Sequence, residues 1–174
     1  ILIDNAMDPV QFIVPKPNES LVEKWIKLAL DIIIPRGITN IHDAWQDPTV
    51  VKVLRKLAEK DELPIRVYGM LGSSHKKLLD QFFESGNLQS GNYTIRSVKA
   101  FIDGALGSRG AALLEPYSDH PNTCGLILIS YEKFRDLANR CRDAGFQLCT
   151  HAIGDRGNKM VLDVYAEAAN GVKN

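Results

Sequence analysis

The sequence has few cysteines and no excess of charge of either sign. Its three cysteines, Cys124, Cys141 and Cys149, are scattered and form no Cys-x-x-Cys pair. This argues against a disulfide framework or a structural zinc site and predicts reduced thiols in a cytoplasmic protein. Lys and Arg number 21, as do Asp and Glu, so the formal net charge is zero. A nucleic-acid-binding protein would carry a basic excess or stripe, so no nucleic-acid partner is expected.

Long hydrophobic runs are also missing. No stretch approaches the roughly 18 apolar residues that a membrane span needs, so no membrane partner is expected. The first residues, 1–6, contain neither an initiator methionine nor the basic start of a signal peptide. They are typical of the interior of a longer protein, and we expect the chain to be a fragment. With 45% hydrophobic residues, its 174 residues can still bury a core.

What the sequence does contain is a regular alternation of helix and strand patterns. A first helix is predicted from Leu21 to about Ile34, with Ser20 and Glu23 as a capping box. Four strand–helix units follow, with strands predicted at Gly37–Ala44, Leu63–Leu71, Ile95–Asp103 and in a short run that ends at His151. Such alternation favours a parallel sheet with right-handed crossovers, in part of a (β/α)₈ barrel or in a small doubly wound sheet.

Polar side chains on one strand face favour the barrel. Because strand residues alternate with period two, Lys99 shares a face with Asp103, and Cys149 shares one with His151. His42 lies on a similar face of the first strand. A barrel explains this pattern, since the apolar face meets the helices and the mixed face lines the lumen. In a doubly wound sheet both faces would be apolar.

A complete barrel needs about 200 residues or more, so the prediction is an α/β fold that is a partial (β/α)₈ TIM barrel of about four units. We expect residues 1–174 to form a single fragment of this barrel. Residues 1–36 would be a connector and helix, and residues 37–174 the four units. The connection from Gly104 to about Ile129 is too long for a routine loop and is typical of a functional one.

His151 and Lys99 are the candidates for chemistry. A histidine at the C-terminal end of a barrel strand lies where barrel enzymes place a metal ligand or catalytic group. A lumen lysine is costly as a bare ammonium, so Lys99 must be paired, deprotonated or converted to a carbamate that can bridge two metal ions. An ion pair between Lys99 and Asp103, or with a glutamate, explains the position equally well.

Two stretches of the chain resemble the metal-dependent amidohydrolase superfamily. They are residues 98–117, VKAFIDGALGSRGAALLEPY, and residues 151–156, HAIGDR. Residues 2–6 and 37–44 are similar to further stretches of the family, in the same order. The branch that these motifs resemble most contains N-substituted formamide deformylase and predicted metal-dependent hydrolases.

The resemblance implies a hydrolase that uses one or two divalent metal ions, most often zinc. Its reaction would cleave a non-peptide, amide-type C–N bond of a small molecule through a metal-activated water. The four strands would be barrel strands two to five, with His151 as a metal ligand and Lys99 as a carbamylated, bridging lysine. The rim of the substrate pocket would contain Asp103, Gly104, Ser108 and Arg109.

The sequence also departs from the superfamily pattern. The first-strand His-x-His pair, the strand-six histidine and the strand-eight aspartate that acts as general base are not in it. At most two metal ligands remain, so we expect no activity without the remaining barrel segments of the parent protein. His42 and Asp155 are expected to support the site rather than bind metal, Asp155 mainly as a helix N-cap. Association into a homo-oligomer is compatible with these expectations.

Two rival explanations stay open at this point. One is a barrel that has lost catalysis and binds a small molecule. The other is a stand-alone, doubly wound binding domain, which would fold as a monomer without exposed barrel edges.

Overall fold

The computed structural model describes residues 7–169, so the family-like stretch predicted at residues 2–6 lies outside the described residues. The described residues form two compact units. Unit one comprises the described parts of Ile1–Pro15, Ala100–Arg142 and Thr150–Asn174, and unit two comprises Lys16–Lys99 and Asp143–Cys149.

Helices and strands alternate along most of the chain. The helices are α1 (Asp8–Ile13), α2 (Glu19–Ile33), α3 (Pro48–Glu59), α4 (Lys76–Ser85), α5 (Tyr131–Asp143) and α6 (Asp155–Ala169), and a 3₁₀ turn follows α2 at Ile34–Arg36. The strands are β1 (Asn40–Gln46), β2 (Arg66–Gly72), β3 (Leu88–Ser90), β4 (Tyr93–Phe101) and β5 (Gln147–His151). All four predicted strands are therefore present, each with slightly different ends.

The sheet joins the predicted strands in chain order. β1 pairs with β2 and β2 with β4, both in parallel, and β5 pairs with β4. The α/β class is confirmed, and this order of neighbours is consistent with part of a (β/α)₈ barrel. The added strand is β3, which pairs antiparallel with β4 and is too short, at three residues, to show a sequence period.

The start of α2 differs from the prediction. Asn18, not Ser20, is the N-cap, and its side-chain oxygen accepts a hydrogen bond from the Leu21 backbone N–H. Glu23 does not close a capping box, because its carboxylate pairs with lysines on α2 and α3. The N-cap predicted for α3 is confirmed, since Asp47 accepts hydrogen bonds from the two backbone N–H groups at the helix start.

The core of each unit is built from the inward faces of these elements. Helix α2 contributes Val22 and Leu30, whereas Trp25 and Ile32, from the apolar stripe that predicted this helix, are more than half exposed. Side chains that are almost fully buried in unit two include Val53, Leu57, Leu71, Leu79 and Ile95, and in unit one Ile102, Ala111, Ala112, Phe134 and Val164. No helix between residues 7 and 169 is long and apolar enough to cross a membrane.

Candidate active site

Asp103 is the centre of the polar structure in unit one. It follows β4, and its side chain is fully buried. Its carboxylate accepts hydrogen bonds from the backbone N–H groups of Ala112 at 2.9 Å, Ile153 at 2.9 Å and Gly154 at 2.7 Å. Backbone donors can satisfy a buried carboxylate without a cationic side chain. Asp103 therefore ties the long loop after β4 to the turn after β5.

Glycines allow this loop and turn to approach each other closely. A Cβ atom built on Gly154 would lie 1.9 Å from the carbonyl oxygen of Ala112, and one built on Gly125 would lie 1.9 Å from that of Ala111. Both distances are impossible for a real side chain. Residues 111 and 112 are thus held between two backbone segments that only glycine can provide.

His151 ends β5 beside the Asp103 cluster. Its Nε2 lies 3.9 Å from Asp103 Oδ1, which is too long for a hydrogen bond but close enough for an electrostatic interaction. The imidazole lies 5.2 Å from the ring of Phe101, centre to centre, and its side chain is 29% exposed. The backbone is fixed as well, because the His151 carbonyl accepts a hydrogen bond from the Ile102 N–H. The imidazole is therefore firmly placed yet accessible.

The predicted rim residues belong to the loop after β4 and are mostly engaged within it. The Gly104 N–H bonds to the Gly110 carbonyl, and the Ser108 hydroxyl donates to the Ala105 carbonyl. Arg109 pairs with Asp119, with 3.0 Å between Nη2 and Oδ2. This hydrogen bond holds the pKa of the Asp119 carboxyl below its usual range.

Asp155 adds a second link between this loop and helix α6. Its carboxylate accepts hydrogen bonds from the N–H groups of Arg156 and Leu114, both at 2.8 Å. Asp155 is the first residue of α6 rather than the residue before it, so the N-cap prediction is wrong by one position, and the first contact lies within the first turn of the helix. The second fixes the loop, so Asp155 also supports the segment that carries the rim residues.

Lys99 lies near the end of β4 in unit two. It is half-buried and is paired in register with Gly72 of β2. Its charge acts on the half-buried Cys149 thiol, which also hydrogen-bonds to Ser97. Burial raises the pKa of the Cys149 thiol, and both of these neighbours partly oppose that shift. Cys149 is thus a protonated, packed thiol at neutral pH, as expected from its position.

His42 occupies the exposed face of β1. Its ring lies 5.1 Å from the ring of Tyr68 on β2, and Tyr68 hydroxyl lies 3.4 Å from Gln147 Oε1. The imidazole is exposed, so this row of polar and aromatic side chains is open at the surface of unit two. The role predicted for His42 in supporting a metal site stays a prediction.

Trp45 and His75 are two residues that the sequence did not single out. Trp45 is an extra residue in β1 with a φ of 133°, and its ring lies 6.1 Å from that of His75. His75 is half-buried, and its Nε2 atom is fully buried. Any two adjacent residues fit the alternation of a strand, so no local signal in the sequence marked Trp45 as an extra residue.

The described residues do not form a complete metal site. Among residues 7–169 no group of three or more His, Cys, Asp or Glu side chains could hold a metal ion. Zinc sites in proteins generally have three or four protein ligands. The two predicted ligands, His151 and Lys99, therefore fit a metal only as part of a larger ligand set.

Comparison with known protein families identifies the family to which this chain belongs. The sequence profile of the amidohydrolase family matches residues 1–174, the entire chain. The chain belongs to the amidohydrolase family. The predicted superfamily is thereby confirmed, while the narrower branch around N-substituted formamide deformylase stays a prediction.

Two curated relatives of this amidohydrolase-family chain are much longer. Protein LONG AFTER FAR-RED 3 of Arabidopsis thaliana is 31% identical over 185 aligned positions, which cover 98% of this chain and 32% of the relative. YtcJ of Bacillus subtilis (strain 168) is 29% identical over 168 positions, which cover 94% of this chain and 31% of the relative. The chain thus spans about a third of the length of the curated relatives it matches.

A solved structure agrees with the fold of this amidohydrolase-family chain. An uncharacterized metal-dependent hydrolase from Pyrococcus horikoshii OT3 superposes with a TM-score of 0.84 at 25% identity. The match covers 95% of this chain and 35% of that protein. The arrangement of helices and strands described above is therefore shared with about a third of a known hydrolase.

Proposed function

We propose that this chain is the part of a metal-dependent amidohydrolase that carries barrel strands two to five. The whole protein would hydrolyse a non-peptide, amide-type C–N bond of a small molecule. The observation that carries the proposal is His151, an accessible imidazole at the end of β5 whose backbone is fixed and whose neighbour is the buried carboxylate of Asp103. Membership of the amidohydrolase family supports the same reaction class.

In this proposal His151 binds the metal through an imidazole nitrogen. Asp103, 3.9 Å from Nε2, acts on the imidazole electrostatically and holds the turn that follows it. The groups around a ligating histidine orient its ring for the metal. Asp103 would therefore position the ligand without touching the metal.

Lys99 would be the second ligand after conversion to a carbamate. A neutral lysine amine adds CO₂, releases a proton and becomes an anionic oxygen ligand. The half-buried position of Lys99 near the end of β4 supports this, because barrel enzymes place their reactive groups at that end of the strands. The pairing of Lys99 with Gly72 also leaves no side chain on the neighbouring strand at this point.

The remaining ligands and the general base would come from other segments of the parent protein. Two ligands are fewer than zinc sites generally use, so we propose that the chain alone is inactive. A divalent metal, for which zinc is our proposal, would lower the pKa of water towards about 7 and polarise the substrate carbonyl. Within this chain, the loop anchored by Asp103 and Asp155 would line the substrate pocket with Gly104, Ser108 and Arg109.

The test is the metal content of the full-length protein, purified without chelators and supplied with metal. We expect near-stoichiometric divalent metal in the wild type and its loss in His151→Ala. His120→Ala is the matched control, because His120 is an exposed histidine of the same unit and should leave metal content unchanged. Metal-free wild-type protein, or equal loss in both variants, would remove the basis of the proposal and favour a barrel that only binds a small molecule.

A second measurement addresses Lys99. Intact mass of the native full-length protein should show an adduct of one CO₂ that is lost on acidification. Lys99→Gln should abolish the adduct and reduce the metal content, whereas Lys159→Gln, on the exposed face of α6, should do neither. An adduct-free native protein that retains its metals would leave His151 as a ligand but withdraw the carbamate.

Partners and location follow from the same proposal. The partners would be a small amide-type substrate, the remaining barrel segments of the parent protein, and a second copy of that protein in a homo-oligomer. The cysteines described here form no disulfides, which supports a reducing, cytoplasmic location. Fractionation of cells that express the tagged parent protein tests this, and recovery outside the cytoplasmic fraction would refute it.

A further inference from the structure

The mixed face of the sheet in unit two is polar at the amino-terminal ends of its strands, away from Lys99. In register, His42 of β1 lies beside Tyr68 of β2, and Tyr68 lies beside Thr94 of β4. The Tyr68 hydroxyl, 3.4 Å from Gln147 Oε1, links this row to β5. With the residues that alternate with them, these side chains form a surface that we call the basal face. Its members are Asn40, His42, Arg66, Tyr68, Thr94, Arg96 and Gln147.

The basal face has an excess of positive charge. Arg66 and Arg96 are exposed on it, His42 adds a third charge when protonated, and none of its seven residues is an Asp or Glu. Arg66 has a neutral partner, the Thr39 hydroxyl at 3.4 Å. None of the ion pairs found among residues 7–169 involves Arg96. The chain as a whole has no net charge, so the imbalance is local to this face.

The counter-charge does not come from the sheet itself. Asp43 of β1 is the one acidic residue in the strands described above. It alternates with His42 and therefore lies on the opposite face. There its carboxylate accepts a hydrogen bond from the buried Gln46 side chain at 2.8 Å. Arg96 thus has no acidic neighbour on its own face.

A cavity of about 410 Å³ opens on the basal face. It is lined by Tyr68, Arg96, Gly145, Phe146 and Gln147. Phe146 is buried, and its ring meets that of Phe83 edge-on at 5.4 Å, centre to centre, which fixes the apolar wall. The guanidinium of Arg96 offers paired N–H donors whose spacing matches the two oxygens of a carboxylate. The cavity is therefore suited to a carboxylate.

The rest of the parent protein is the source that fits this carboxylate. This chain spans about a third of the length of its curated relatives. In the barrel of the proposed function, the mixed face lines the lumen and is covered by strands that this chain does not contain. An arginine enclosed there without a counter-charge would be costly, and a carboxylate beside it offsets that cost.

We propose that the basal face docks on a strand of the parent protein outside this chain, and that a carboxylate of that strand forms an ion pair with Arg96 in the cavity. This inference rests on the proposed function, because it takes the rest of the barrel as the partner. A shift of one residue turns every side chain of a strand to its other face. The ion pair therefore fixes the register of the docked strand at one end of the sheet, while the proposed metal ligands lie at the other.

The first test identifies the residue that meets Arg96 in the full-length protein. The photo-reactive amino acid p-benzoylphenylalanine replaces Arg96, and the peptides cross-linked by irradiation are identified by mass spectrometry. We expect a peptide that lies outside the sequence of this chain and contains an Asp or Glu. The same amino acid in place of Arg55, an exposed arginine of α3 that pairs with Glu59, is the control and should not capture that peptide. Cross-links confined to this chain or to a second copy would overturn the inference.

The second test measures the ion pair in the same protein. Arg96→Met should lower the unfolding temperature by about 5 °C, because it leaves an enclosed carboxylate unpaired. Neutralising the cross-linked Asp or Glu in the Arg96→Met protein should restore most of that loss. The matched control, Arg55→Met, removes an exposed ion pair and should change the unfolding temperature little. Additive effects of the two substitutions, or equal effects of Arg96→Met and Arg55→Met, would contradict the proposed pair.

Acetate distinguishes a docked strand from a site for a free anion. The docked strand would fill the cavity, so ligand-observed NMR should detect no acetate binding to the full-length protein that depends on Arg96. Acetate that binds wild type and not Arg96→Met would overturn the inference in favour of an anion site. The metal content decides the proposed function separately. Metal-loaded protein without the cross-link and the coupling would remove only this inference, whereas metal-free protein that shows both would remove only the proposed catalysis.

Discussion

Each unit contains one buried polar cluster, and the two clusters are built differently. In unit one, the Asp103 carboxylate accepts three hydrogen bonds that all come from the backbone. In unit two, Tyr93, Gln46 and Asp43 form a chain of side chains. The first cluster therefore fixes the path of a loop and a turn, and the second fixes which face of β1 the Gln46 side chain occupies.

This difference predicts how each cluster fails. A carboxylate that serves three backbone donors has no substitute within the chain, so its removal leaves all three unsatisfied. The cluster in unit two consists of three side chains, and when one of them is removed the other two can relax. Unit one should therefore be the more sensitive to a single substitution, and unit two the more tunable.

The largest effect is expected for Asp103→Ala. The buried N–H groups of Ala112 and Gly154 would lose their acceptor, each at a cost of about 1–3 kcal/mol, so the free energy of unfolding should fall by about 2–6 kcal/mol, with a smaller addition from the part-buried N–H of Ile153. The free energy of unfolding should fall by less in Asp103→Asn, because the amide oxygen can still accept some of these hydrogen bonds. Denaturant unfolding measures both. Equal, small losses in the two variants would contradict the view that this carboxylate holds the loop.

Gln46→Ala should have the next largest effect, a loss of about 2–3 kcal/mol from one buried and one part-buried hydrogen bond. Gly69→Ala should also destabilise, because its new Cβ would lie 2.2 Å from Gln46 Oε1. In the double variant that clash disappears, so the combined loss should be smaller than the sum. An additive double-mutant cycle would show that the two positions are independent.

Tyr93→Phe should cost about 1–2 kcal/mol at neutral pH, since Gln46 loses a donor. Its effect should change sign at high pH. Burial, reinforced by Asp43, raises the pKa of the Tyr93 hydroxyl well above its usual range. Above about pH 10 the unfolded chain loses this proton and the folded one keeps it, so wild-type stability falls by about 1.4 kcal/mol per pH unit.

The Tyr93→Phe variant does not lose the stability that wild type loses at alkaline pH through the Tyr93 hydroxyl. Burial also raises the pKa of the Tyr117 hydroxyl. The stability lost through Tyr117 at alkaline pH should be the same in both proteins. The stability curves of wild type and Tyr93→Phe should therefore converge between neutral pH and pH 11. Parallel curves over this range would mean that Tyr93 ionises in the folded protein as readily as in the unfolded chain.

The smallest effect is expected for Asp119→Ala. Its ion pair with Arg109 is exposed, and such pairs contribute little because solvent screens them. The unfolding curve should be indistinguishable from that of wild type, which makes this variant the carboxylate control for Asp103→Ala. Under the proposed function, release of Arg109 should alter the KM of the full-length protein before it alters stability.

Much of this architecture was predictable because its signals are local. The period of two along β4 placed Lys99 on the mixed face, and the end of β5 placed His151 at a strand terminus. The long loop after β4 was evident from its length. Each inference used residues within one segment, where side-chain alternation and strand length act directly.

The remainder depended on contacts between distant residues. Asp103 binds N–H groups up to 51 positions away, and Gln46 binds Tyr93 across 47 positions. A single sequence carries no signal for such pairings. The β-bulge at Trp45 was not predictable either, because it interrupts the alternation of side chains by which a strand is recognised. The start of α2 shows a smaller version of the problem, because Asn18 and Ser20 are both good caps.

The Asp103 cluster makes three loop amides behave like amides of a strand. The N–H groups of Ala112, Ile153 and Gly154 lie outside helices and strands, yet one buried oxygen pair holds all of them. Their hydrogens can exchange with deuterated solvent only when that cluster opens. They should therefore exchange slowly and with one common protection factor, so that three signals from two separate segments report a single opening event in the unmodified protein.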